Sequence, residues 1–253
     1  MYRRHLPPVH VSNGRKEKLQ INATITVIDV IDIIEDESSI DIDFWLLLTW
    51  FDKVGFIESP LQNRVIPLNV KQPNFFFQDL LFSFLKRTSA ENSISSESMA
   101  EIWVPKIEFD KVNKKIKSSD SQIFINRQGE PALSGDNDQL HPREVYEGTE
   151  NSLNFNIEER FQFSCSFDNI KNYPFGQQTC SLNIFVKGTD NNLTYLYPEK
   201  FINKGPKEIG QFLIKDWRME GKFDEITERN IIWIQLGNYS LLEHYIVNQG
   251  FYT

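Results

Sequence analysis

The sequence predicts an all-β fold, an immunoglobulin-like antiparallel β-sandwich of about eight to ten strands with a short N-terminal helix. Three observations predict it. Segments rich in Val, Ile, Phe and Trp alternate apolar with polar residues, the period of a half-buried strand. Clusters of Gly, Pro, Asn, Asp and Ser separate these segments. Beyond a short stretch near Asn13–Leu19, no segment carries the 3.6-residue apolar period of a helix.

The elements follow in order. Residues 1–18 form an N-terminal segment containing the expected helix. "LQINATITVIDVIDI" (Leu19–Ile33) is a long strand, Ile34–Ser39 an acidic turn, and "IDIDFWLLLTWFD" (Ile40–Asp52) a second strand, together a hairpin. Between Phe75 and Ile107 an apolar patch gives way to a Ser-rich loop. The lysine-rich Lys111–Gln122 and the turn-forming Arg127–Pro142 are expected as loops. Leu153–Phe167 is a strand with Phe161, Phe163 and Cys165 on one face. Cys180–Val186, Gln211–Phe223 and Arg229–Asn248 are further strands. With no repeat and no internal boundary, residues 1–253 read as a single domain, 19–253 being the sandwich.

The bulk composition narrows the function. A net charge of −8, from 35 acidic against 27 basic residues, excludes a binder that relies on clustered Lys and Arg, so no nucleic-acid partner is expected. No apolar run reaches the roughly 18–20 residues of a membrane span. The basic N-terminus lacks a following apolar stretch, which leaves open a cytosolic chain or one whose signal peptide has been removed. The four histidines show no His-Glu-x-x-His spacing and the cysteines no Cys-x-x-Cys; no metal site is expected. There is no phosphate-binding Gly-rich loop and no Gly-x-Ser-x-Gly elbow. Glu158 and Glu159, adjacent on a strand, point to opposite faces and cannot act as an acid–base pair. Neither a cofactor nor an enzymatic activity is expected. Asn22, Asn192 and Asn238 open Asn-x-Ser/Thr sequons and are glycosylation candidates. Their number matches the roughly two to three that this composition gives by chance, so they assign no compartment. Cys165 and Cys180 are the only cysteines, and on their own read as two buried thiols or as a disulfide.

"CSFDNIKNYPFGQQTC" (Cys165–Cys180) combines a ring between two cysteines with Asp168, an aromatic-Pro-aromatic tip at Tyr173-Pro174-Phe175, and Gln178. Trp50-x-Asp52 closes the second long strand, Trp45 precedes it by five residues, and "IWVPKIEF" (Ile102–Phe109) holds Trp103-x-Pro105. The chain ends in "HYIVNQGFYT" (His244–Thr253). In this order the elements resemble the extracellular domain of the Cys-loop receptors, the pentameric ligand-gated ion channels, over nearly the whole chain. The loop is one residue longer than the family pattern. Gly176 stands in place of an acidic residue, Lys106 of an Asp, and Tyr252 of a Pro.

The resemblance implies a Cys165–Cys180 disulfide and a β-sandwich on the extracellular side of the plasma membrane. It implies a homo- or heteropentamer with a small-molecule, neurotransmitter-type ligand bound between neighbouring subunits. It also implies coupling to a pore-forming domain through Tyr173, Pro174 and Phe175, whose apolar side chains gain from burial against that domain. The alternative is a secreted protein similar to the acetylcholine-binding proteins. At the ligand site the resemblance places Trp45 and Phe109, with Lys187 in place of a Trp and Arg229 in place of a Tyr. Two cations oppose a cationic ligand, so acetylcholine is disfavoured and an anionic or zwitterionic ligand such as an amino acid is expected. Trp45 also reads as sandwich core, and Lys187 and Arg229 as solvated rim residues.

Overall fold

The computed structural model describes residues 7–8, 11–12, 15–34, 37–52, 91–93, 102–118, 121–126, 132–134, 143–145, 151–166, 177–187, 193–210, 212–224 and 229–240. Every regular element among them is a β-strand. The first are β1 (Val11–Ser12), β2 (Arg15–Lys16), β3 (Leu19–Ile34), β4 (Ser39–Trp50), β5 (Glu91–Ser93), β6 (Ile107–Asp110), β7 (Val112–Ser118) and β8 (Gln122–Asn126). There follow β9 (Ala132–Ser134), β10 (Arg143–Val145), β11 (Ser152–Ser166), β12 (Gln177–Val186), β13 (Thr194–Asn203), β14 (Glu208–Ile209), β15 (Phe212–Asp224) and β16 (Arg229–Ser240).

Alternation in sequence becomes alternation of faces. Along β4, Ile42, Phe44, Leu46, Leu48 and Trp50 are buried, and in β11 Leu153, Phe155, Ile157, Phe161 and Phe163 are. Two ladders result. The first runs β13-β3-β4-β11, with β7 and β8 along the far edge of β11 and β5 on β8. The second runs β12-β16-β15-β14, with β6 on the free edge of β12. The pairs Cys165↔Cys180 and Ser166↔Thr179 join them, because β11 outruns its first-ladder partners and passes to β12. Buried side chains of both ladders form one apolar cluster, including Ile25, Phe44, Leu46 and Phe161 from the first and Leu182, Ile184, Ile232 and Leu236 from the second. Ring pairs cross between them: Phe44 of β4 meets Phe109 of β6 with centroids 5.7 Å apart, and Phe201 of β13 stacks on Trp217 of β15 at 5.3 Å. Gly221 of β15 admits Pro198 of β13, whose Cδ lies 3.1 Å from where a Cβ would sit.

Five sequence expectations need correction. In place of a helix near Asn13–Leu19, β1 and β2 pair antiparallel as Val11↔Lys16 and Ser12↔Arg15, and β3 begins at Leu19. The intervening Asn13-Gly14 is the dipeptide most favoured in two-residue hairpin loops, a stronger local signal than the weak helical pattern. The lysine-rich segment expected as a loop is strand β7 on β11. Lys114, Lys115 and Ile116 are all exposed there, and only Val112 at its start packs on the core, so no alternation reveals the strand. The expected Arg127–Pro142 loop contains β9, which pairs with β10 just beyond it. The ladder is not wholly antiparallel: β13 runs parallel to β3. Finally, β3 does not alternate throughout. Bulges at Ile28 and Ile31 turn the tandem Val27-Ile28-Asp29 and Val30-Ile31-Asp32 into a three-residue period, with Val27, Val30 and Ile33 buried and both aspartates exposed.

Among the described residues two non-glycine residues hold positive φ, Ser38 at 49° and Lys111 at 65°. Both serve the crossing point of the ladders: Ser38 O accepts from Cys165 N at 2.8 Å, and Lys111 O accepts from Ser164 N at 3.0 Å. A side chain in this region carries a steric cost that glycine escapes. Ser38→Gly is therefore expected to raise stability by about 0.5–1 kcal/mol, read by urea titration. A loss of stability would show that the seryl side chain outweighs the backbone relief.

Candidate functional site

The crossing point is the best-defined part of the site. Cys165 and Cys180 are direct Cα partners, 4.0 Å apart, and form a disulfide. Cys180 is buried and Cys165 half-buried. The loop they close contains Tyr173, Pro174 and Phe175, which lie outside the described residues, as does Asn192.

Trp45 sits on β4 between buried Phe44 and Leu46, so strand parity turns it away from the core, and it is 40% exposed. Its ladder partners are Thr26 on β3 and Glu158 on β11. Lys204 Nζ stands 5.6 Å from the centre of its ring, a cation–π contact. Trp45 is therefore not part of the sandwich core. Further along the same face Arg160 grips Asp41 bidentately, Nε to Oδ1 at 3.2 Å and Nη2 to Oδ2 at 2.8 Å. Its pKa is raised above the ordinary arginine value. The Asp41 hydrogen bond contributes most, and the charges of Asp41, Asp43 and Asp29 add to it against a lowering by desolvation. Gln162 donates to Glu37 Oε2 and Ser39 Oγ beside it. This acidic face adjoins the β3–β4 turn.

Phe109 takes the opposite direction. On β6 its parity matches that of Ile184, its ladder partner, and its half-buried ring packs 5.0 Å from Phe161 as well as against Phe44. Lys187 follows β12, donating its backbone N–H to Lys106 O at 2.6 Å and pairing its exposed ammonium with Glu108. Arg229 opens β16 opposite Asp224 of β15. The final β12–β16 pair, Phe185↔Ile231, is two residues short of both Lys187 and Arg229. The antiparallel register therefore brings these two residues to the same end of the second ladder, next to β6 and Phe109. Trp45 belongs to the other ladder, and no described contact joins it to them.

Sequence reasoning missed three contributors here. Glu108 offsets the Lys187 charge, Lys204 covers the Trp45 ring, and Lys222 Nζ lies 3.4 Å from the centre of the Trp233 ring on the second ladder. Glu108 was findable from its place beside Phe109 in the quoted segment. The lysine–tryptophan contacts depend on register, which the sequence does not state. Among the described residues no group of three or more His, Cys, Asp or Glu is placed to hold a metal ion.

No family model matches the chain, and no curated protein matches it.

Proposed function

We infer that the chain is a non-enzymatic ligand-binding domain of a pentameric ligand-gated channel, its two ladders packed as a β-sandwich on the extracellular side of the membrane. The ligand is small and anionic or zwitterionic, and it binds where the Trp45 face of one copy meets the Lys187–Arg229 end of another. The observation that carries this reading is the Cys165–Cys180 disulfide at the one crossing of the described ladders. It closes a loop whose Tyr-Pro-Phe tip is suited to burial against a pore domain, and a structural disulfide belongs to an oxidising compartment.

Two further features support it. Trp45 and the Lys187–Arg229 pair lie on different ladders with no described contact between them, an arrangement that suits a site shared by two copies. Trp45 and Lys187 also have resident partners, Lys204 on the first and Glu108 on the second. An ammonium already over the Trp45 ring opposes a cationic ligand, whereas a ligand carboxylate has only to displace Glu108 from Lys187.

Calorimetric titration of the pentamer with an acidic amino acid such as glutamate tests this. Lys187→Ala and Arg229→Ala are each expected to weaken binding about tenfold or more, the size of one lost charge-assisted hydrogen bond. Glu108→Gln is expected to strengthen it by releasing Lys187. Unchanged affinity in both alanine variants, or a strictly monomeric chain, would sink the proposal.

A further inference from the structure

Asn22 opens the sequon Asn22-Ala23-Thr24 in the middle of a three-strand stretch, with ladder partners Thr49 on β4 and Tyr197 on β13. Ile21, Ala23 and Ile25 are buried, so parity puts Asn22 and Thr24 on the outward face. Gln20 Nε2 donates to Asn22 Oδ1 at 2.7 Å, which orients the carboxamide. Its Nδ2, the atom that takes a glycan, has no hydrogen-bond partner among the described residues.

A side chain in mid-sheet is ordinarily hemmed in by its cross-strand neighbours. Asn22 instead borders a cavity of about 290 Å³, shared with Pro8, Gln20, Thr49 and Phe51 among others. That volume is at the small end of ligand cavities, roughly 300–1,000 Å³, and suits one sugar ring. The wall combines the charged Glu17 and Lys18, the amide of Gln20 and the Thr49 hydroxyl, which donates to Asn154 and is left to accept, with the apolar faces of Pro8, Leu19 and Phe51. A pyranose presents the complement, with hydroxyls and an acetamide at its edge and C–H groups on its face. Exposed Tyr197 stands beside Asn22 on the same face.

We propose that Asn22 carries an N-linked glycan and that this cavity seats its first N-acetylhexosamine. The inference rests on the extracellular reading above, because the donor, a lipid-linked oligosaccharide diphosphate, is met in the secretory lumen. Asn22 Nδ2 bonds to the sugar C1 as the C1–O bond to the diphosphate breaks. The lipid diphosphate leaves with the bonding pair, and Nδ2 gives one proton to the base of the transferring enzyme. Attachment precedes folding, and the cavity lets the sheet close with the sugar in place.

The test is the chain fused to a cleavable secretory leader, produced in eukaryotic cells and examined by peptide mass spectrometry and thermal melting. Expected is a glycan on Asn22 that is absent in Asn22→Gln and in Thr24→Val. Trimming the glycan to one sugar should leave Tm unchanged, while Asn22→Gln should melt about 2–4 °C lower. Phe51→Ala should retain the glycan and lose that difference. An unmodified Asn22 in secreted, disulfide-bonded chain overturns the proposal. So does a glycan whose absence in Asn22→Gln leaves Tm unmoved. Glutamate binding is read separately: a glycosylated chain that binds no ligand sinks the receptor reading and leaves this one standing.

Discussion

Phe161→Ala is expected to destabilise the protein by about 3–5 kcal/mol, the largest effect of any single substitution considered for this fold. Phe161 is 1% exposed and touches three rings: Phe44 at 4.8 Å, Phe109 at 5.0 Å and Phe163 at 6.3 Å. Truncation removes the transfer energy of the ring, leaves a cavity in the core that both ladders share, and ends three edge or tilted ring contacts. Phe161→Leu keeps most of the volume and is expected to cost less than about 1.5 kcal/mol. Urea titration of the two variants side by side checks the prediction, since only a packed aromatic cluster separates them so widely. Equal, small losses would show that this cluster does not hold the ladders together. Phe109 also flanks the Lys187–Arg229 end, so the alanine variant should weaken ligand binding as well.

Converting both Cys165 and Cys180 to alanine is expected to cost about 3 kcal/mol, the loop-closure entropy of a link spanning 15 residues. For a chain of this length that is a fall in Tm of about 6–12 °C. The location sharpens the expectation. The disulfide lies where the described ladders share hydrogen-bonded pairs, so its loss frees their relative motion as well as the loop. Calorimetry of the double variant under non-reducing conditions measures the loss. Reducing the parent protein should reproduce it, and a loss below 1 kcal/mol would mean that the backbone bonds from Ser38 and Lys111 suffice to hold the crossing.

Much of this architecture was legible because burial on one face imposes a period of two. The long strands β3, β4, β11, β12, β15 and β16 all begin within a few residues of where alternation puts them. β7 escaped because Lys114 and Lys115 face solvent, while the short β8 escaped although Ile123 and Ile125 are buried. The parallel partner β13 was illegible for a different reason. Pro198 within "TYLYPEKFIN" lacks a ladder donor and argues against a strand, yet β13 is an edge strand, where proline is tolerated. Of the site residues, the cysteine pair was identified by motif, whereas Trp45 was left between ligand site and core until the burial of Phe44 and Leu46 on either side turned it outward. Glu108 and Lys204 were not, because ion pairs and cation–π contacts come from register between strands far apart in sequence.

The double bulge in β3 has a consequence for solubility. Pairing with β13 ends at Asn203↔Val27, and the bulges begin at the next residue. Beyond that point no described strand pairs with this edge of β3, although Lys204 donates to Val27 O and Gly205 lies against the backbone of Asp29 and Val30. A straight apolar strand such as VIDVIDII would present there an even row of backbone donors and acceptors, a template for another copy of the chain. Repeating Val-Ile-Asp twists that row out of line every third residue and sets an aspartate outward at each break. A segment that looks like the most aggregation-prone stretch of the sequence thus guards its own edge against edge-to-edge association.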